Sequence, residues 1–256
     1  MPLSARLEKL FKWIFLVSLT VTIATGLYKD VFPDPAFYAS TDLGDPVQTP
    51  ADRDAFSVNV NDQTYVITPQ FDYELEGMVV SLHDSDSFTD ITHFQSWKDF
   101  INLRDLCVVW GENLRSGIYQ RMEIDNDSWT CWFRWSDPQI GRQFRLDQAS
   151  NNHLLTERPE IQAALLSAEP GDYIRLRGML VEYANPANGF RRGTSTTRTD
   201  TGNGACETIY LTDFRIMQKA NPGLRKLYRV SWWVAVISLS AFVILLFIAP
   251  PGRRVH

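Results

Sequence analysis

Two long apolar segments, residues 10–28 and 230–249, stand near the two ends of the chain and constrain it more than anything between them. A helix of about twenty residues, rising ~1.5 Å per residue, crosses the ~30 Å hydrocarbon layer of a bilayer. Both segments are therefore expected to be transmembrane helices, holding the roughly 200 residues between them on one side of the membrane. Trp13, Tyr28, Tyr228, Trp232 and Trp233 mark the expected ends, where amphipathic rings favour the headgroup layer.

Charge in short flanks sets orientation. Arg6, Lys9 and Lys12 surround the start of the first segment, and Arg253 and Arg254 follow the second, so the tails at residues 1–9 and 250–256 are expected in the cytoplasm. Arg225, Lys226 and Arg229, within the basic stretch 223–229, oppose this. Long loops, however, translocate largely regardless of their charge. The first segment reads as a retained helix rather than a cleaved leader, because no clean pair of small residues marks a cleavage site near Ala24. The expected location is a bacterial inner membrane with a periplasmic central domain.

Neither apolar core carries an ionisable residue beyond Lys12, which can snorkel to the interface. That argues against an ion path, proton relay or transporter site at depth, functions that place charge there. Small residues instead recur in register, with Ser18, Thr22 and Gly26 on one helix and Ser231, Ala235, Ser238 and Ala241 on the other. Such stripes let helices approach closely, either each other or those of another subunit.

Between the helices, residues 29–55 contain Pro33, Pro35, Pro46 and Pro50 among acidic and small polar residues and read as an extended tether. The span 31–90 holds twelve acidic residues and only one basic, Arg53. That balance argues against nucleic acid as a partner.

Residues 56–222 are expected to form one mainly β domain. Strand signals occur at 65–68, 73–82, 106–110, 129–135, 173–183 and 208–217. Alternation places Trp129, Cys131, Phe133 and Trp135 on one covered face. Short helices are expected after Thr92, through Phe94, Trp97 and Ile101, and after Thr156, ending at Gly171. Gly77 and Gly178 in mid-strand suit a strongly curved sheet, so an OB-like partly open barrel is expected, with a β-sandwich as the alternative.

Several groups are candidates for chemistry. The excursion 188–207 brings Arg191, Arg192, Thr194, Ser195, Thr196, Thr197 and Arg198 together with four glycines, a composition able to hold an anion. The run His83, Asp84, Asp86, Asp90 and His93 has metal-ligand residue types but lacks the glycine and distal glutamate of a calcium loop, and it reads as a solvated acidic loop. No cofactor is expected. Of three cysteines, Cys107 is expected to be a buried small hydrophobe and Cys131 to pair with Cys206. A nucleophilic set can be assembled from His153, Asp200 and Cys206, although linear spacing does not show that these groups meet.

The function these features favour is a non-enzymatic two-pass subunit, embedded in the lipid bilayer, that binds membrane proteins of a larger assembly. The rivals are a membrane-anchored hydrolase using the 153, 200 and 206 region, and an anion sensor using the 188–207 excursion.

Overall fold

A computed structural model describes residues 3–41, 44–85, 97–127, 130–197, 199–200 and 206–248. In chain order the first elements are helix α1 (Leu3–Tyr28), strands β1 (Val47–Pro50), β2 (Phe56–Val60), β3 (Gln63–Asp84) and β4 (Asn102–Val109), helix α2 (Gly111–Ser116) and strands β5 (Glu123–Asn126) and β6 (Cys131–Arg134). There follow α3 (Pro138–Gln143), β7 (Ala149–Leu155), α4 (Pro159–Leu166), β8 (Tyr173–Asn185), β9 (Phe190–Arg192), β10 (Glu207–Gln218) and α5 (Pro222–Ile248). They divide into two compact units, Met1–Val31 with Asn221–His256, and Phe32–Ala220.

In the first unit α1 and α5 are long and apolar enough to cross a membrane. The small-residue stripes of both helices are buried at Ser18, Thr22, Ser231, Ala235 and Ser238, and Thr22 Oγ1 donates to Ser231 Oγ at 2.9 Å. A Cβ on Gly26 would come within 3.3 Å of the Tyr228 ring. The stripes therefore serve contact between the two helices of this chain, where small side chains permit close approach.

The second unit is mostly β. Strands β3, β4, β7, β10 and β8 pair in that order, and β8 pairs back to β3, so the five close into a ring. All these pairs are antiparallel except β7 with β10. Closure rests on the length of β3, which pairs with β8 from Val66 to Met78 and with β4 from Met78 to Asp84. Glycine is needed where backbones crowd in this ring: a Cβ on Gly178 would lie 2.3 Å from the Tyr210 carbonyl oxygen. Replacing Gly178 with Ala is expected to destabilise the unit by about 1–3 kcal/mol, the range for overpacking against backbone that does not yield. A thermal unfolding midpoint unchanged from wild type would refute this.

Leu106, Val108, Leu154, Leu176, Leu180, Ile209 and Leu211 fill the ring, with Ile161 and Leu165 of α4 against them. Alternation then turns Asp105, Cys107, Asn151, His153 and Thr208 to the outer face of β4, β7 and β10. Part of that face is covered by the β5–β6 hairpin and by α3, through Ile124, Phe133, Ile140 and Phe144.

The structure corrects several expectations. Residues 29–55 are not a free tether. Tyr38 is buried in the core and donates to the Gly171 carbonyl at 2.7 Å, while β1 pairs with β3. Cys131 bonds Cys107, not Cys206, because β6 folds back over the outer face of β4. Trp135 ends the expected alternating strand 41% exposed rather than covered. The helix expected after Thr92 lies mostly outside the described residues. Of its described residues Trp97 is still helical, Lys98 takes a positive φ that ends the turn, and Ile101, expected on the helix, leads directly into β4. The stretch before α4, which holds none of the strand signals above, is strand β7.

Candidate functional site

Strand β7 carries Ser150, Asn151, Asn152 and His153 in a row. Polar residues are depleted in ordinary strands, and here all four are buried. Across the ladder, β4 sets Asp105 opposite His153 and Cys107 opposite Asn151. On the other side β10 runs parallel, with Thr208 opposite His153. Cys206, immediately before β10, is thereby brought against the same outer face.

His153 Nδ1 lies 2.8 Å from Asp105 Oδ1. Asp105 has no exposed surface and His153 is 4% exposed. The same carboxylate oxygen accepts from Asn102 Nδ2 at 3.2 Å, and Asn102 Nδ2 also reaches Ser85 Oγ, so the carboxylate is oriented from two sides. With Nδ1 facing Asp105 as an ion pair, Nε2 is the ring nitrogen left for the hydrogen bond with Cys206. Burial pulls the His153 pKa down. The charge and hydrogen bond of Asp105 and the hydrogen bond of Cys206 outweigh burial, against an opposing push from Arg192, and hold the pKa at about 9. The imidazole therefore carries a proton at neutral pH. Cys206 itself is partly exposed.

Two asparagines complete the site. Asn151 Nδ2 donates to Cys206 Sγ at 3.7 Å, and its Oδ1 accepts from Asn126 Nδ2 of β5 at 3.2 Å. Behind them lies a second buried polar group, where Tyr183 donates to Asp99 Oδ2 at 2.6 Å. Burial first, and then the Asp99 charge, push the Tyr183 pKa well above its ordinary value. Buried ionisable groups with shifted pKa values, gathered on one face, make this a candidate functional site.

The structure thus brings together two of the three expected catalytic residues, Cys206 and His153, and supplies a different carboxylate. Asp200 instead accepts a hydrogen bond from Ser195 Oγ at 2.5 Å. The described residues of the 188–207 excursion are engaged as follows. Ser195 Oγ also donates to the Thr197 carbonyl, Thr194 Oγ1 accepts from the Thr208 N–H, Thr196 and Arg191 are exposed, and the Arg192 charge lowers the His153 pKa. Arg198 lies outside the described residues, as do Asp86, Asp90 and His93 of the acidic run. Of that run's described members, Asp84 pairs with Arg104 at 2.5 Å, and His83 stands opposite Asp105 across the β3–β4 ladder. Among the described residues no group of histidine, cysteine or carboxylate side chains is arranged to hold a metal ion.

Asp105 escaped sequence reasoning because it opens an apolar run. The signal that could have found it is Asn151, Asn152 and His153 in succession, polar side chains that only a strand paired on both sides would bury. The chain matches no family model, no curated protein and no solved structure.

Proposed function

We propose that the protein is a membrane-anchored acyl-transfer enzyme, a hydrolase or transferase, in which Cys206 is the nucleophile, His153 the general base and acid, and Asp105 the group that orients and charges the imidazole. The observation that carries this reading is the buried His153–Asp105 pair set against a partly exposed Cys206. A base held by a third group beside a thiol is the arrangement nucleophilic cysteine catalysis requires. Cys206 Sγ attacks the carbonyl carbon of an ester, thioester or amide as its proton passes to Nε2 of the neutral form of His153. Collapse of the tetrahedral intermediate breaks the bond to the leaving heteroatom, which takes the proton from His153 and leaves a thioester on Cys206. Water or an acceptor nucleophile, deprotonated by His153, then releases the acyl group and restores the thiol.

Its setting is that of an OB-like barrel. In this reading β3, β4, β7, β8 and β10 are the first to fifth strands, supported by the ring order first, second, third, fifth, fourth and by α4 between third and fourth. Barrels of that kind bind ligands on the face of the second and third strands, where Asp105, Asn151 and His153 stand. The likeness is one of architecture and by itself assigns no chemistry. In this reading the domain lies outside the cytoplasm, which the basic flanks and a disulfide, a bond that persists in oxidising compartments, support.

The test is to expose the full chain in detergent micelles to p-nitrophenyl acetate and to follow acylation by intact mass. We expect one acetyl group, on Cys206, absent from Cys206→Ala and formed about 10²–10⁴-fold more slowly in His153→Ala. A wild-type Cys206 no more reactive than free cysteine would overturn the enzyme. It would leave the non-enzymatic reading, a membrane subunit that holds partner proteins, for which the exposed Trp132 and Trp135 are the natural contact surface.

A further inference from the structure

The chemistry above needs more than a nucleophile and a base. Attack on a carbonyl develops negative charge on oxygen, and donors fixed in advance at that point commonly supply the largest share of rate acceleration. Asn151 occupies the right place. Its Nδ2 is 3.7 Å from Cys206 Sγ, so an oxygen on a carbon bonded to that sulfur falls within hydrogen-bond reach of the amide. It also points the right way round. Asn126 Nδ2 reaches both the Asp105 carbonyl oxygen at 3.5 Å and Asn151 Oδ1 at 3.2 Å. A main-chain carbonyl can only accept, so Asn126 must present its N–H₂ there. Asn151 must then offer its oxygen to Asn126 and its N–H₂ to the sulfur.

What holds Asn126 in place is covalent. Asn126 is the cross-strand neighbour of Cys131 on the β5–β6 hairpin, and Asn151 is the cross-strand neighbour of Cys107 between β4 and β7. The Cys107–Cys131 disulfide therefore joins the two residues that flank the asparagine pair. The hairpin forms its own two-stranded sheet, apart from the main one, so this bond fixes its register against β4 where ladder hydrogen bonds do not.

We propose that Asn151 is the side-chain donor of an oxyanion site beside Cys206, and that Asn126, clamped by the Cys107–Cys131 disulfide, is the positioning residue that aims it. The proposal rests on Cys206 being the acylated nucleophile and adds the group that stabilises its transition state.

Two reagents separate this role from a structural one. Acylation by p-nitrophenyl acetate passes through an oxyanion. Alkylation by iodoacetamide displaces iodide at a saturated carbon and does not. In the full chain in detergent, Asn151→Leu, which keeps the bulk and removes the donor, should slow acylation of Cys206 about 10²–10³-fold and alkylation by less than about threefold. His153→Ala should slow both. Asn126→Ala should reproduce the selective loss and add little to it in the double variant, because the two side chains act as a unit. Intact mass and thermal unfolding verify that the disulfide and the fold persist. Asn151→Ala replaces the leucine variant if the latter does not fold. Equal slowing of the two reactions, or none of acylation, overturns the assignment while leaving the nucleophile in place. A wild-type Cys206 that takes neither reagent faster than free cysteine overturns the nucleophile, and the assignment with it.

Discussion

Replacing Asp105 with Asn is expected to destabilise the domain by about 3–5 kcal/mol at and below pH 6.5, the usual loss when one partner of a buried ion pair is removed. His153 has almost no contact with water, and without the carboxylate its charged form would lie desolvated and uncompensated. The loss should depend on pH with a definite sign. The folded-state pKa of about 9 lies above the ordinary histidine value of about 6.5, so the folded protein holds the proton more tightly than the unfolded chain does. The contribution, about 3 kcal/mol for a shift of this size, is fully present below pH ~6.5 and disappears as the pH rises through ~9. The groups that face the imidazole and modulate this are Cys206 and Arg192, with His83 on the far side of Asp105. Unfolding of wild type and Asp105→Asn, followed between pH 6 and 9.5, should therefore show a gap that narrows as the pH increases. A constant gap would mean that the pair does not share a proton as described.

Loss of the Cys107–Cys131 bond is the second large effect. The bond spans a sequence separation of 24, for which the chain-entropy estimate is roughly 3–4 kcal/mol. Cys107 is fully buried and tolerates Ala by size, so the double variant Cys107→Ala with Cys131→Ala isolates the crosslink from the packing. Its denaturant midpoint should match that of the reduced wild type and fall well below that of the oxidised protein. A double variant as stable as the oxidised protein would show that the hairpin packs firmly by its apolar contacts alone. The loss is expected to be felt first at Asn126, the cross-strand neighbour of Cys131.

Much of the architecture was legible in the sequence. The two apolar helices, their small-residue contact and the long strands around Gly77 and Gly178 follow from periodicity and composition, which report local geometry. The site was legible only in half. Cys206 and His153 are conspicuous residue types, but their orienting acid sits in another strand, opposite His153 through a ladder that no linear spacing encodes. Strand β7 was hidden for the same reason. Asn151, Asn152 and His153 look like a cap or loop until the neighbours that bury them are known. The disulfide was misassigned because pairing depends on how β6 folds over β4, a tertiary choice. Asp200 looked equivalent to Asp105 by chemistry and differs only in where the chain takes it.

The strand order also governs when the site comes into being during synthesis. β3 must wait for β8, from which it is separated by most of the domain, before the ring can close, and long-range pairings of this kind form slowly. β10 enters last, between β7 and β8, and only residues 219–221 separate its end from α5. His153 and Asp105 can already be paired by then, because β4 and β7 precede it. The chain thus holds the buried His153–Asp105 pair with no thiol beside it until the final strand arrives and sets Cys206 against it. A copy cut short before β10 carries the buried pair without the thiol.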